Sequence, residues 1–435
     1  MSLHAVAVLA IVMICFIGSF TKHPFWGLVG YIFLYFNIPN PAINWWAVSL
    51  PDLRWSFTSA FVVIVSMFIH AGKLNNTKVF SMNNYRFLVA LALLMLLITP
   101  FATFPEYSYT KFYDFFRYTI CFVFFIKCIP NMSKFEILIW VCLICCLNLS
   151  WEAYIHPEYR YQGRLEGIGT PDSTDSNLFA TVLMMPIPFL INEVLFENKY
   201  RKGLALICAA FTLNAIVLCG SRGAIIGLIG TALTFFFCER DKKVRRKIIL
   251  GVFCAGILFV KLLDPTFIDR LVATKEGGDS TGSGRTEIWA YGLNMARDYP
   301  LGAGGYAFEY LSPRYIPENL LTGGRRAPHN TYLLLFVEQG ILGLSFFLIF
   351  WGMTVKMLHT VRASVMKLEP RAGTELFKIK QYSLATEAAI IGILFSSFFV
   401  DRLYFELLYW LAGMATFLYF FGLKLVTQHE QKEAG

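Results

Sequence analysis

His329 sits in Arg325-Arg326-Ala327-Pro328-His329-Asn330-Thr331, where a polar stretch returns to a membrane-length apolar run. A neutral imidazole accepts a proton from a hydroxyl near neutral pH, which makes this position a candidate general base. The chain has only seven histidines, and His329 lacks companions at metal-ligand spacing. Two arginines suit the complementary task of holding an anion. Arg222 lies in Gly220-Ser221-Arg222-Gly223, which joins two apolar runs with almost no loop and keeps a guanidinium at or just inside the membrane boundary. Charge is costly there, and a guanidinium offers a fork of donors matched to phosphate oxygens. Arg285 opens residues 285–298, in which Ile288, Trp289, Gly292, Leu293 and Met295 share an apolar face at helical spacing. The pattern predicts an amphipathic helix on the outer surface of a bundle, its N-terminal amides and Arg285 together favouring anions. Each residue also has a plainer reading: Arg222 snorkelling to headgroups, Arg285 as a solvated loop charge, His329 as a structural histidine.

The elements that must position these residues follow from composition. A chain of 435 residues that is 56% hydrophobic and 15% charged, with mean hydropathy +0.55, is too apolar for a water-soluble globular protein. Apolar runs at 5–20, 25–38, 57–71, 86–103, 113–127, 135–155, 177–196, 203–219, 224–238, 248–263, 331–355, 383–400 and 403–423 predict an all-α polytopic bundle. The expected count is 12 or 13 spans, since the N-terminal pair reads as two helices or as one and a partial span. Residues 5–20 read as a retained helix, with neither a basic leader nor a cleavage site. The formal net charge of +9 gathers in short loops, such as 240–247 and 356–380, which is the positive-inside bias and not a nucleic-acid patch. Those loops and the C-terminus are therefore expected in the cytoplasm. The chain divides into an N-terminal bundle (1–263), an extracytoplasmic loop with short helices (264–328) and a C-terminal three-helix segment (329–435). All ten cysteines lie in or beside apolar segments, as small hydrophobic fillers and not a disulfide framework.

On the outer side, Arg160, Arg164, Arg325 and Arg326 are further candidates for substrate contacts. Arg164 leads because it lies among glycines in an outer loop, and a solvated rim is an equal reading for Arg325 and Arg326. Asp401-Arg402, in the short turn between the last two spans, reads as a structural ion pair.

Taken in order, Ser221-Arg222-Gly223, Gly284-Arg285 to Trp289, the Pro300 to Gly305 turn and Pro328-His329-Asn330 resemble the O-antigen ligase and polymerase family, membrane glycosyltransferases of GT-C-like type. The likeness covers roughly residue 177 to the C-terminus. Lys22-His23-Pro24-Phe25-Trp26-Gly27 and the stretch from Gly163 to Pro171 look like the branch of O-glycosylation ligases that accompanies exosortase and exopolysaccharide systems. The resemblance implies transfer of a preassembled glycan from undecaprenyl diphosphate to an acceptor hydroxyl on lipid A core, protein or polysaccharide. It implies inversion without a metal or other cofactor, at a periplasmic site of the bacterial inner membrane. It maps catalysis onto His329, Arg222 and Arg285, with the arginines holding the diphosphate and the histidine activating or orienting the acceptor. Arg164, Arg160, Arg325, Arg326 and Asn330 become substrate-binding candidates. The absence of an Asp-x-Asp motif on an outer loop agrees, since phosphate departure then needs fixed positive charge. Polymerisation of repeat units is the nearest alternative. A transporter of a lipid-linked glycan is the alternative from another class, and it would show repeat symmetry and charges near the bilayer centre.

Overall fold

The computed structural model describes residues 1–51, 53–161, 164–262 and 283–434. Gly163 and residues 264–282 of the expected outer loop lie outside them. Six helices open the chain: α1 (Leu3–Thr21), α2 (Phe25–Phe36), α3 (Trp55–Ile69), α4 (Asn83–Ile98), α5 (Pro105–Cys128) and α6 (Met132–Ile155). A small hairpin, β1 (Arg160–Tyr161) with β2 (Arg164–Leu165), leads to α7 (Ser176–Met184), α8 (Ile187–Phe196), α9 (Lys199–Cys219), α10 (Arg222–Cys238) and α11 (Lys242–Leu262). Two short helices, α12 (Ser283–Asp298) and α13 (Ala307–Tyr315), precede α14 (Thr331–Lys367), α15 (Glu375–Ser396) and α16 (Glu406–Ala434).

The chain is an all-α polytopic bundle, with helix at each predicted apolar run. Among the described residues, seven segments are long and apolar enough to cross a membrane, and Phe25–Phe36, Trp55–Ile69 and Arg222–Cys238 are shorter apolar helices. Polar side chains start many of them. Ser2, Asn131, Asp175, Asn198, Ser221, Asn330 and Thr374 each accept from a backbone N–H of the first turn that has no helical partner. Some helices outrun their apolar stretch. α5 begins at Pro105, α14 carries the expected connector as far as Lys367, and α15 starts at Glu375. Lys, Arg and Glu are good helix formers, so a helix need not end where its hydrocarbon-length run ends. The run 177–196 is divided by Pro186, which cannot donate to the helix ladder.

α16 is the axis of the bundle. From Leu407 to Leu418 it is buried all round, with Tyr409 packed against α5 and α14 and Trp410 against α2 and α5. Between membrane helices close packing replaces the hydrophobic effect, and small residues permit it. At the α10–α15 crossing a Cβ on Gly227 would meet the Gly392 carbonyl at 2.7 Å, so the backbones nearly touch. This contact fixes the helix whose first residue is Arg222. At the end remote from Arg222, Arg201 joins Glu193 (2.8 Å) and Glu136 (2.7 Å), while Lys378 reaches Glu136 (2.5 Å) and the Tyr382 hydroxyl donates to Glu193 (2.8 Å). That network ties α6, α8, α9 and α15 together. All ten cysteines are free thiols.

Candidate active site

The arginine side of the site begins where α9 ends. Gly220, at φ 58°, closes α9, and Ser221 caps α10 by accepting from Ala224 (3.4 Å), leaving Arg222 as the first residue of α10. Arg164 secures this turn. Its Nε donates to the Cys219 carbonyl (3.0 Å) and its Nη2 to Asn177 Oδ1 (2.9 Å). Arg160 projects, exposed, from β1 of the same hairpin.

α12 brings the second arginine. The expected amphipathic helix is present, with Ile288, Gly292, Met295 and Ala296 buried against α13 and α14. Leu293 departs from expectation: it is 48% exposed, because a step of five residues from Ile288 turns it off that face. The Trp289 indole donates to the Pro328 carbonyl (2.9 Å), so the helix that begins beside Arg285 also holds the residue before His329. The segment 322–325 forms a tight turn through Gly323 and Gly324, both at positive φ, and puts Arg325 over the Tyr310 ring at 3.7 Å. Arg326 donates from its backbone to Ser312 Oγ (2.8 Å) and from Nη1 to Thr322 Oγ1 (2.5 Å).

His329 has φ 47°, a left-handed conformation that L-residues adopt at a cost. The turn between α15 and α16 holds it there. Asp401 accepts from the backbone N–H of His329 (3.2 Å) and of Asn330 (2.8 Å), and its carboxylate lies 3.9 Å from His329 Nδ1. Thr331 N donates to the Ser397 carbonyl (2.9 Å), and its hydroxyl donates to the Val400 carbonyl (2.8 Å). Asn330, expected at the substrate, has its side-chain oxygen on the N–H groups of Tyr332 and Leu333 as the cap of α14. The expected Asp401–Arg402 ion pair is replaced by other bonds, because the carboxylate serves the His329 turn while Arg402 Nη1 reaches Ser173 Oγ (3.2 Å).

Electrostatics ties these pieces together. Burial pushes the Arg285 guanidinium below its ordinary value, as do the charges of Arg222, Arg326 and Arg164, against a counteracting pull from Asp401. The four guanidiniums therefore share one neighbourhood. Burial first, then Arg285 and Arg326, push His329 down to about 4, so its imidazole is neutral at ordinary pH. Burial raises Asp401 to about 7, although the N–H groups of Asn330 and His329 favour its charged form. Arg160 and Arg325 are not among the charges that weigh most on Arg285 or His329.

Pro328 and Asp401 also line a cavity of about 570 Å³. Its wall carries six carboxyls, Asp114, Asp172, Glu309, Glu338, Asp401 and Glu406, and three cations, Lys111, Arg117 and Arg402. Sequence reasoning missed Glu338 and Lys111 because each lies inside a helix with no motif around it. Asp401 had a visible signal, a charged residue in a minimal outer turn, whose partner spacing alone did not reveal. Glu338 is set by a break in α14. Gly340, at φ 65° and ψ −170°, interrupts the helix, and the carbonyls of Val337 and Glu338 accept from Ala303 and Gly304 (2.9 Å each). In return Ile341 N donates to the Pro300 carbonyl (3.2 Å), which gives the Pro300 to Gly305 turn its structural task. Among the described residues, Cys238, His359 and Glu387 bring metal-ligating atoms within 4.8 Å of one another, at the far end of α10. Arg362 already bonds both Glu387 (2.5 Å) and His359 (3.1 Å), a poor neighbour for a cation.

Residues 207–348 match the family model described as O-antigen ligase. The match takes in Arg222, Arg285, Arg325, Arg326, His329 and Asn330, and leaves Arg160 and Arg164 outside. No curated protein matches the chain.

Proposed function

With an O-antigen ligase family region at residues 207–348 of a multi-pass membrane chain, we propose that this glycosyltransferase-type protein moves a preassembled glycan from undecaprenyl diphosphate to an acceptor hydroxyl on the periplasmic face of the bacterial inner membrane. Arg222 and Arg285 hold the diphosphate, with Arg326 beside them. His329 accepts the proton of the acceptor hydroxyl as its oxygen bonds to the anomeric carbon. The bond to the diphosphate breaks on the opposite face, inverting that centre, and the leaving charge falls on guanidiniums already in position. Asp401 holds His329 in its left-handed turn and is a positioning residue. No step calls on a metal.

The observation that carries this reading is one neighbourhood of four arginines, three of them bearing on Arg285, with Arg285 and Arg326 also bearing on a neutral imidazole. A diphosphate needs the first and a hydroxyl needs the second. Arg222→Ala, Arg285→Ala and His329→Ala should each lower transfer by about 10²-fold or more while leaving membrane insertion intact. Wild-type transfer in all three overturns the proposal. Purified protein in detergent should still join donor to acceptor, where a transporter has no gradient to work on. Glycan analysis of a deletion strain separates the two closest activities: loss of attached polymer with its lipid-linked precursor retained marks a ligase, and single repeat units alone mark a polymerase.

A further inference from the structure

None of Arg164, Arg222, Arg285 and Arg326 lines the cavity, whose wall has twice as many carboxyls as cations. Of the cavity's own cations, Arg117 is paired with Asp114, while Arg402 bonds Ser173 through Nη1 and lies over the Phe405 ring, with its Nε and Nη2 buried and without hydrogen-bond partners. Lys111 lies between the rings of Tyr306 (4.2 Å) and Tyr404 (4.3 Å). Glu406 and Asp172 are similarly engaged, Glu406 by Tyr31 and the Trp410 indole, Asp172 by Tyr35, Thr170 and Ser173. Glu338, bonded to the Tyr404 hydroxyl (3.2 Å), remains with Glu309, Lys111 and the two tyrosine rings as the working wall. With the free donors of Arg402, such a wall offers acceptors, cationic donors and flat aromatic faces, which suits hydroxyl groups that both donate and accept. It suits a phosphate less well, because the lining holds twice as many carboxyls as cations.

The cavity is also lined by Phe57 and Phe61 of α3 and by Phe116 of α5. These rings are 61%, 56% and 43% exposed on the outside of the bundle. In a membrane that surface faces lipid, so the cavity has an apolar mouth between α3 and α5.

We propose that this cavity is the acceptor subsite, and that it takes an uncharged, hydroxyl-rich headgroup carried on an apolar chain that leaves between α3 and α5, in preference to a phosphorylated one. The word acceptor rests on the glycosyl-transfer reading above, but the test needs no transfer. Full-length protein in nanodiscs of uncharged lipid is titrated with radiolabelled decyl β-glucoside and with its 6-phosphate. Saturable binding of the glucoside, at least tenfold tighter than that of the phosphate, is expected. Lys111→Gln and Glu338→Gln should each weaken it at least tenfold, and Arg285→Ala, which removes a donor contact, should leave it within twofold. Should Glu338→Gln fail to fold, the half-buried Lys111→Gln and the wild-type ligand pair carry the test. Equal or tighter binding of the phosphate, no saturable binding to wild type, or indifference to both cavity variants overturns the proposal. Equal loss in Arg285→Ala and Lys111→Gln overturns the assignment to the acceptor and gives the cavity to the donor's own sugar. A transfer defect in Arg285→Ala alongside any of these results leaves the catalytic reading standing.

Discussion

The imidazole of His329 is kept neutral by surroundings that would be hostile to its charged form. Burial leads, and Arg285 and Arg326 add repulsion, bringing it to about 4. A base is active when unprotonated, so the acid limb of the transfer rate should fall near pH 4 and not near the ordinary histidine value of 6.5. Arg326→Ala removes one repulsive charge and should shift that limb upward, part of the way only, since burial remains; a pH–rate profile of the variant checks this. Stability follows a related logic. Between pH 6.5 and about 4 the unfolded chain protonates its histidine before the folded one does, so His329 makes folding less favourable as pH falls. Asp401, raised from 3.8 to about 7, does the opposite over nearly the same window, because the folded state takes up its proton first. The two contributions oppose each other. Asp401→Asn should therefore uncover a loss of thermal stability as pH falls from 6.5 toward 4 that wild type does not show, measured by unfolding scans in detergent.

At the scale of elements, one outer helix and two turns bring distant residues together. α12 places Arg285 and, through Trp289, steadies Pro328; the α15–α16 turn places His329; Gly220 to Gly223 places Arg222. The helices were legible in the sequence because membrane-length apolar runs and the i, i+3, i+4 face of α12 are strong periodic signals. Leu293 was misassigned because one apolar residue more or less barely alters such a pattern. Asn330 read as a substrate contact from its place beside His329, whereas an asparagine before an apolar run is also a ready helix cap. The break at Gly340 was invisible, since a single glycine in a long apolar run is common and only the facing Pro300 turn makes it a kink. A Cβ on Gly340 would lie 2.5 Å from the Leu301 carbonyl carbon and from the Pro300 oxygen, and the positive φ is unfavourable besides. Gly340→Ala should loosen the turn from α14 and lower transfer more than it lowers membrane insertion, with limited proteolysis near Leu301 reporting the loosening.

For the whole molecule, the bundle has one end organised around the arginines and His329 and another tied by carboxylate networks. The positive-inside pattern and the apolar content made the class legible. The charged lining of the cavity was not, because Lys111, Glu309, Glu338 and Asp401 come from four separate segments and meet only in the folded bundle. Arg201, at the remote end, joins Glu193 and Glu136. Removing it leaves Glu193 buried without its cation, a loss of about 3 kcal/mol by the usual cost of breaking such a pair. Arg201→Ala should lower the unfolding temperature of the purified protein, while the fraction that stays folded transfers glycan at the wild-type rate.

The interruption at Gly340 gives α14 two mechanical halves. The upper nine residues hang from the α15–α16 turn and from the loop at Pro300, while the lower shaft belongs with the helices gathered around α16. Wear in the shaft should therefore melt the bundle before it misaims the imidazole, and wear in the loop should blunt the imidazole in a bundle that still stands.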